Sequence, residues 1–373
     1  MVFFNQRSGF PPFLLISAAD AAESSADKPT AACVSNNKTR RPRRVSCAGV
    51  AVAFAPGALF GRNPSGRLQN RPVSAKMAEK GLFFMIDVCS VQQIKALLAK
   101  YGFHFSKSKG QNFLTQRWVP ARIAQDSGVD ARCGVLEIGP GFGPLTQELC
   151  LRAGKVIALE VDTTLAPVLA ETVGDFDNLE IHYLDALKAD LPALVAEKFA
   201  GLQPMACANL PYYITSPILT KLLESRCFSA VTVMVQKEVA QRICARAGTS
   251  DYSAFSILCQ YYAVPELLFE VPPSCFIPQP KVTSAVVRLQ THEPPAEIEN
   301  EALFFRAVRA GFAMRRKTLL NSLSAGFREL SRTELAHLLT DCGIDPAVRG
   351  ETLDIPAFAR IANALNRRLG TKN

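Results

Sequence analysis

The chain has 373 residues, 48% hydrophobic and 20% charged, with a formal net charge of +9. That balance supports a sizeable core, two domains by length, and no membrane span, since no apolar run approaches the roughly 18 residues a span needs. The eleven cysteines are scattered and never spaced Cys-x-x-Cys, so neither a disulfide framework nor a zinc site is expected, and a reducing, cytosol-like compartment is.

The charge is unevenly placed. Residues 1–84 carry twelve Lys and Arg against four Asp and Glu, a net of +8 that leaves +1 for the rest. The basic balance therefore says little about what the folded body binds. This segment is rich in Pro, Ser, Ala, Gly and Arg, holds the basic run KTRRPRR at 38–44, and lacks a sustained helical or strand period. It reads as an extension. Three accounts stay open: a disordered basic tail, an organelle transit peptide, or a start placed too early, with Met77 or Met85 the first residue. Asp20, Glu23 and Asp27 count against the transit peptide.

Patterned sequence begins just after Met85. Residues 91–100 form an amphipathic helix, followed by a basic loop from Lys107 and Lys109 to Gly110-Gln111-Asn112-Phe113-Leu114. Short apolar runs at 134–138, 156–160, 179–183, 205–208 and 231–235 then alternate with helical segments. Such alternation predicts βαβ units and a mostly parallel sheet. Runs at 267–271 and 284–289 flank a Pro-rich loop and complete seven strands. Beyond His-Glu-Pro-Pro at 292–295, apolar residues recur at helical spacing from 302 onward. The expected architecture is α/β over 85–290, then a small all-α domain of four or five helices over 291–373.

The first strand, Val135-Leu136-Glu137-Ile138, runs into Gly139-Pro140-Gly141-Phe142-Gly143 and then a helix. In open α/β sheets ligands sit at the carboxyl ends of strands, where glycine lets the backbone pass close to them. Pro144 stands where a dinucleotide fingerprint has its third glycine, so the loop suits a ligand without a pyrophosphate. Glu160 ends the second strand, where an ionised carboxylate can accept both hydroxyls of a ribose. Asp185 follows the third and can accept from an adenine amino group. Each acid alone is as readily a helix cap or a solvated loop charge; at successive strand ends they indicate one bound nucleoside.

The fourth strand ends in Asn209-Leu210-Pro211-Tyr212. An exocyclic adenine amine is a poor nucleophile because its lone pair is delocalised into the ring. The Asn209 oxygen and the Leu210 carbonyl can accept its two N–H bonds and favour a tetrahedral nitrogen. Pro211 stiffens the turn, and Tyr212 offers a face on which an extruded base stacks. Positioning and preorganised acceptors supply the rate in such a site. The loop Phe276-Ile277-Pro278-Gln279-Pro280-Lys281 is expected to close it, with Phe276 stacking on the other face of the base and Lys281 meeting a phosphate.

These residues closely resemble the ribosomal RNA adenine dimethyltransferase family, in its small-subunit (16S) branch. Matching pieces are KSKGQNFL from Lys107, EIGPGFGPLT from Glu137, LEVD from Leu159, NLPYYITSP from Asn209, VQKEVAQR from Val235, VPPSCFIPQPKVTSAVVRL from Val271 and FAMRRKTLLNSL from Phe312. The resemblance implies a Rossmann-like class I methyltransferase domain followed by a helical one. It implies S-adenosyl-L-methionine as cofactor, held by Asn112, Leu114, Gly139, Gly141, Glu160, Asp185 and Asn209. The implied reaction is dimethylation of two adjacent adenines near the 3′ end of 16S rRNA in the assembling subunit, by a cytoplasmic monomer with no metal. Lys109 stands where the family commonly has Leu, and Thr283 where it has Asp. Lys107, Lys109, Arg315, Arg316 and Lys317 are candidate phosphate contacts, the last three expected at a helical position. Rival readings are a 23S rRNA methyltransferase of the antibiotic-resistance type and a non-catalytic assembly factor on the same fold.

Overall fold

The computed structural model describes residues 86–102, 112–293 and 298–370, all within one compact unit, Arg71–Asn373. The extension 1–84 and both lysines of the basic loop, Lys107 and Lys109, lie outside the described residues.

Helix α1 (Val91–Tyr101) starts on a Ser90 cap and ends on Gly102 in the left-handed conformation. A two-residue strand β1 (Phe113–Leu114) and helix α2 (Trp118–Asp126) lead into the sheet. Its parallel part is β2 (Cys133–Ile138), β3 (Lys155–Leu159), β4 (Leu179–His182), β5 (Gln203–Asn209) and β6 (Ala230–Gln236). The crossovers are α3 (Pro144–Cys150), α4 (Ala166–Val173), α5 (Leu191–Lys198) and α6 (Thr215–Glu224). Then follow α7 (Lys237–Cys244), α8 (Ala254–Tyr262), β7 (Ala263–Val271), a short β8 (Phe276–Ile277) and β9 (Ser284–Thr291).

The strand order is β4-β3-β2-β5-β6-β9-β7, with β9 antiparallel to β6 and β7 antiparallel to β9. All six residues of β2 are buried, as a strand covered by helices on both faces must be. Alternate residues feed two cores: Leu136 and Ile138 join one, Val135 the other. Connections leave in opposite directions from β2 and β5, which opens a crevice at their carboxyl ends.

The helical part contains α9 (Glu301–Phe312), α10 (Leu319–Gly326), α11 (Arg332–Asp341) and α12 (Ile355–Gly370) among the described residues. One apolar cluster runs without a break from Leu136 in the sheet to Phe304 and Phe358 in these helices. At the junction the Tyr261 and Phe304 rings lie 5.1 Å apart, and the Tyr262 hydroxyl donates to Glu301 Oε1 at 2.6 Å. Strand thus gives way to helix only after Thr291, and packing continues across the change.

The strand β7 is longer than the apolar run at 267–271 suggests. A register shift between Leu267 and Phe269 lets it continue back to Ala263, as a bulge does on an edge strand. No helix among the described residues is long and apolar enough to cross a membrane.

Candidate active site

A cavity of about 330 Å³ opens at the carboxyl ends of β2, β3 and β5. Its floor is the glycine loop, where Gly139, Gly141 and Gly143 all take positive φ (70°, 59° and 91°). A Cβ on Gly141 would come within 3.2 Å of the Phe113 ring, and one on Gly143 within 2.6 Å of Val173 Cγ1. The Phe113 ring is itself held by stacking on Phe142 at 4.1 Å. Pro144 opens α3 at its first turn, where its missing N–H costs nothing.

Besides Asp162, whose Oδ1 accepts the Thr164 N–H at 3.2 Å, three carboxyl groups line the cavity. Glu160, just past β3, is 6% exposed, and its Oε1 accepts the Asp162 N–H at 2.8 Å. Burial raises its pKa, against the pull of backbone N–H groups of Asp162, Gly141 and Val161. Asp185 Oδ1 accepts the Leu187 N–H at 2.9 Å. The third is Glu137, inside β2 and 1% exposed. Burial raises its pKa to about 8; Thr146 lies close enough to oppose this, yet neither Glu137 Oε2 nor Thr146 Oγ1 completes a hydrogen bond.

Sequence motifs single out Glu160 and Asp185 but leave Glu137 as one more strand residue. A signal is there all the same: a lone carboxyl in an apolar run must find a partner. The motifs also leave out Val161, Leu184 and Leu187, which line the cavity beside Glu160 and Asp185 and stay 64%, 41% and 37% exposed. Apolar side chains left in solvent at a cavity rim can flank a flat ring. This set fits the implied cofactor: acceptors for ribose hydroxyls (Glu160) and an amino group (Asp185), an unpartnered buried carboxyl oxygen for an ammonium (Glu137), and apolar flanks for adenine.

The opposite wall is the turn after β5. Asn209 pairs with Met234 of β6, and its Nδ2 donates to the Asn112 carbonyl at 3.5 Å, with no partner for its Oδ1 among the described residues. The Leu210 N–H donates to Met234 O at 3.2 Å. Pro211, at φ −58°, presents a carbonyl that accepts both the Ile214 N–H at 3.2 Å and the Thr215 hydroxyl at 3.1 Å. Tyr212 is half-buried; its hydroxyl shares a 2.8 Å hydrogen bond with Ser284 Oγ, and burial raises its pKa. Tyr213, next in the 3-10 turn, lines the cavity and is 50% exposed.

Asn112, Leu114, Gly139, Gly141, Glu160, Asp185 and Asn209 all line this one cavity, as do Leu210, Pro211 and Tyr212. Phe276 does not. The β1–β8 ladder pairs it with Leu114 and sets its ring, 3% exposed, in the core. The expected second stacking face is therefore withdrawn from the cavity. Lys281 is exposed in the loop after β8.

The three cations at 315–317 are not helical. They occupy the turn between α9 and α10, because Thr318 caps a new helix by accepting the Asn321 N–H at 3.4 Å. Arg315 is engaged within the chain, donating to Ser250 O at 2.6 Å and lying 3.3 Å from Glu351. Arg316 and Lys317 are exposed.

Comparison with known proteins agrees with this geometry. Residues 102–367 match the profile of the family described as "Ribosomal RNA adenine dimethylase". A "Ribosomal RNA small subunit methyltransferase A" from Geobacillus thermodenitrificans (strain NG80-2) is 46% identical over 284 residues, 75% of this chain and 97% of the relative. One from Alkaliphilus oremlandii (strain OhILAs) is 46% identical over 287 residues, covering 76% of this chain and 100% of the relative. Among solved structures, a dimethyladenosine transferase from Plasmodium falciparum superposes with a TM-score of 0.57 at 26% identity, covering 68% and 98% of the two chains. The 23S rRNA methyltransferase ErmE does so with a TM-score of 0.53 at 28% identity, covering 68% and 99%.

Proposed function

The chain belongs to the ribosomal RNA adenine dimethylase family, and from that premise we propose that it methylates the N6 amines of adenines in small-subunit ribosomal RNA. It is an S-adenosylmethionine-dependent enzyme on a class I methyltransferase fold. The observation that carries the reading is one juxtaposition: the Asn209-Leu210-Pro211-Tyr212 turn opens onto the same cavity as Glu160 and Asp185.

Bound S-adenosylmethionine supplies an electrophilic methyl group on its sulfonium. The protein's part is to hold two partners in line. Glu160 accepts the ribose hydroxyls, Asp185 the cofactor's adenine amine, and Glu137 its ammonium. Asn209 Oδ1 and the Leu210 carbonyl accept the two N–H bonds of the target amine, which draws the nitrogen lone pair out of conjugation and toward the methyl group. Tyr212 supports the extruded base by stacking. Once methylated, with the C–S bond broken and its electron pair left on a neutral thioether, the nitrogen would be cationic, and its proton would leave readily to solvent. Rate in such a site comes from positioning and from acceptors already in place.

In this reading residues 85–290 hold cofactor and base, while 291–373 approaches the RNA with Arg316 and Lys317. Lys281 serves a phosphate near the site; Lys107 and Lys109, outside the described residues, are candidate phosphate contacts by sequence alone. The target is two adjacent adenines near the 3′ end of 16S rRNA, met in an assembling subunit by a monomer in the cytoplasm or an organelle. The 23S reading is the weaker: similarity to the named 23S enzyme is 28%, against 46% for small-subunit relatives over more of the chain.

Transfer of labelled methyl groups to undermethylated small subunits, with 23S-containing subunits alongside, tests the proposal. Label is expected in dimethyladenosine of 16S rRNA; label chiefly in 23S rRNA would overturn it.

A further inference from the structure

We propose that Ser284 is a positioning residue for the reaction: through its hydrogen bond to the Tyr212 hydroxyl it fixes the position of the ring on which the target base stacks. The inference rests on the reading of Tyr212 as the base platform and adds what holds that platform.

Ser284 opens β9, where it pairs with Gln236 of β6 on one side and Val271 of β7 on the other. Because β9 runs antiparallel to β6, its first residue lies at the carboxyl edge of the parallel strands, the edge that carries Asn209. Ser284 is 0% exposed, so its hydroxyl cannot fall back on solvent. The partner it has is Tyr212, at 2.8 Å.

Tyr212 is thereby held at two points. Its backbone is pinned by the turn, where Leu210 N–H is bonded to Met234 O and Pro211 O to Ile214 N–H. Its far end is pinned by Ser284. A ring attached only through Cβ rotates about its side-chain torsions, and the plane of its face moves with it. A ring also held at the hydroxyl cannot swing about its Cα–Cβ torsion, and because a phenolic O–H prefers to lie in the ring plane the bond favours one tilt. A 180° flip turns about the axis through the hydroxyl oxygen and leaves both bond and plane as they were. The stacked base must present its amine to Asn209 Oδ1, so the plane of the ring sets the height of the reacting nitrogen.

The rest of the cavity gives this anchor more weight. Phe276 lies in the core and does not line the cavity, so the tyrosine rings that line it are Tyr212 and Tyr213. Tyr213 is half exposed at the cavity mouth. The two tyrosines are thus unequal: Tyr212 is tied down at its hydroxyl, and Tyr213 faces solvent. A turn that needed only an aromatic face could use phenylalanine at 212, which would leave the buried Ser284 hydroxyl unsatisfied.

The test uses the full chain and undermethylated small subunits, reading kcat, KM for the subunit and, by calorimetry, affinity for S-adenosylmethionine. Ser284→Ala is expected to lower kcat about tenfold, within the range small misplacements cost, with KM and cofactor affinity changed less than about twofold. Tyr212→Phe should do the same, since it removes the other half of one bond. The double variant should lose no more than either single one, because residues acting through one bond are non-additive. Unchanged kcat in either single variant, or losses that multiply in the double, would overturn the proposal. So would a loss that appears in cofactor affinity instead of kcat. Should Ser284→Ala not fold, Tyr212→Phe alone decides, by the same criterion. If the unaltered chain transfers no methyl to adenine, the parent reading fails and this one with it; if it transfers normally and both variants match it, only this inference fails.

Discussion

The two walls of the cavity are built by different means. On the proposed cofactor side the backbone does the shaping: Gly139 and Gly141, at positive φ, line the space without side chains, Gly143 packs behind them against Val173, and carboxyl groups stand at the ends of adjacent strands. On the target side, side chains are tied to distant segments. Asn209 bonds to Asn112, 97 residues earlier, and Tyr212 to Ser284, 72 residues later. The first wall is defined by what is absent, and any added atom damages it. The second is defined by what is anchored, and removing one polar atom damages it.

The largest effect should come from the anchored wall. Asn209→Ala is expected to lower kcat by about 10²–10³-fold, the cost of losing one preorganised hydrogen-bonding group at a reacting centre. Cofactor affinity, read by calorimetry, should fall far less, although the resemblance also counts Asn209 among the residues that hold the cofactor. A matching fall in affinity would assign Asn209 to the cofactor wall and break the comparison.

Gly143→Ala probes the other wall and should fail differently. The left-handed backbone costs an L-residue roughly 1–2 kcal/mol, and the new Cβ would sit 2.6 Å from Val173 Cγ1. Thermal unfolding should move down by about 2–6 °C, with weakened cofactor binding. A stable variant impaired only in turnover would contradict the assignment.

The third test follows the buried carboxyl of Glu137. Burial raises its pKa from the ordinary 4.5 to about 8 in the folded chain. The folded state then binds the proton more tightly than the unfolded state does. Its contribution to stability is full below pH 4.5 and is lost as pH rises through about 8. Glu137→Gln keeps the neutral shape at every pH. Its melting temperature should therefore match the parent's in acid and exceed it by a few degrees above pH 8. A gap independent of pH would show that the carboxyl is already ionised and paired.

The smallest effects belong to the turn between α9 and α10. Arg316→Ala and Lys317→Ala should each weaken RNA binding by about 1 kcal/mol or less and reduce the salt slope by roughly one unit for each phosphate no longer neutralised. Arg315→Ala should leave the slope unchanged, because Arg315 is held by Ser250 and Glu351. An equal slope change at all three positions would return Arg315 to the RNA.

Much of this is legible in the chain alone. The strand runs, the glycine loop, the acids at 160 and 185 and the Asn-Leu-Pro-Tyr turn depend on local spacing and local chemistry, so their order along the sequence carries over into the fold. Gly-x-Gly-x-Gly favours positive φ wherever it sits, and a carboxylate after a buried strand must emerge at the strand end. Cofactor residues read from these motifs meet in one cavity because the parallel sheet places every strand's carboxyl end at the same edge.

Tertiary structure alone decided where a side chain turns. Phe276 has the look of a stacking face, but pairing of β8 with β1 sends its ring into the core. Arg315 has the look of one of three equal cations, but the loop at 250 and Glu351 capture it. Glu137 reads as strand, and only its burial with an unpartnered Oε2 among the described residues marks it for the role proposed above. Ser284 sits inside the matching piece from Val271, yet nothing local gives it a role, because its partner is 72 residues away. Local sequence sets backbone conformation and the choice of reactive groups; burial and pairing are properties of segments meeting in space, and they decide which of those groups face the site.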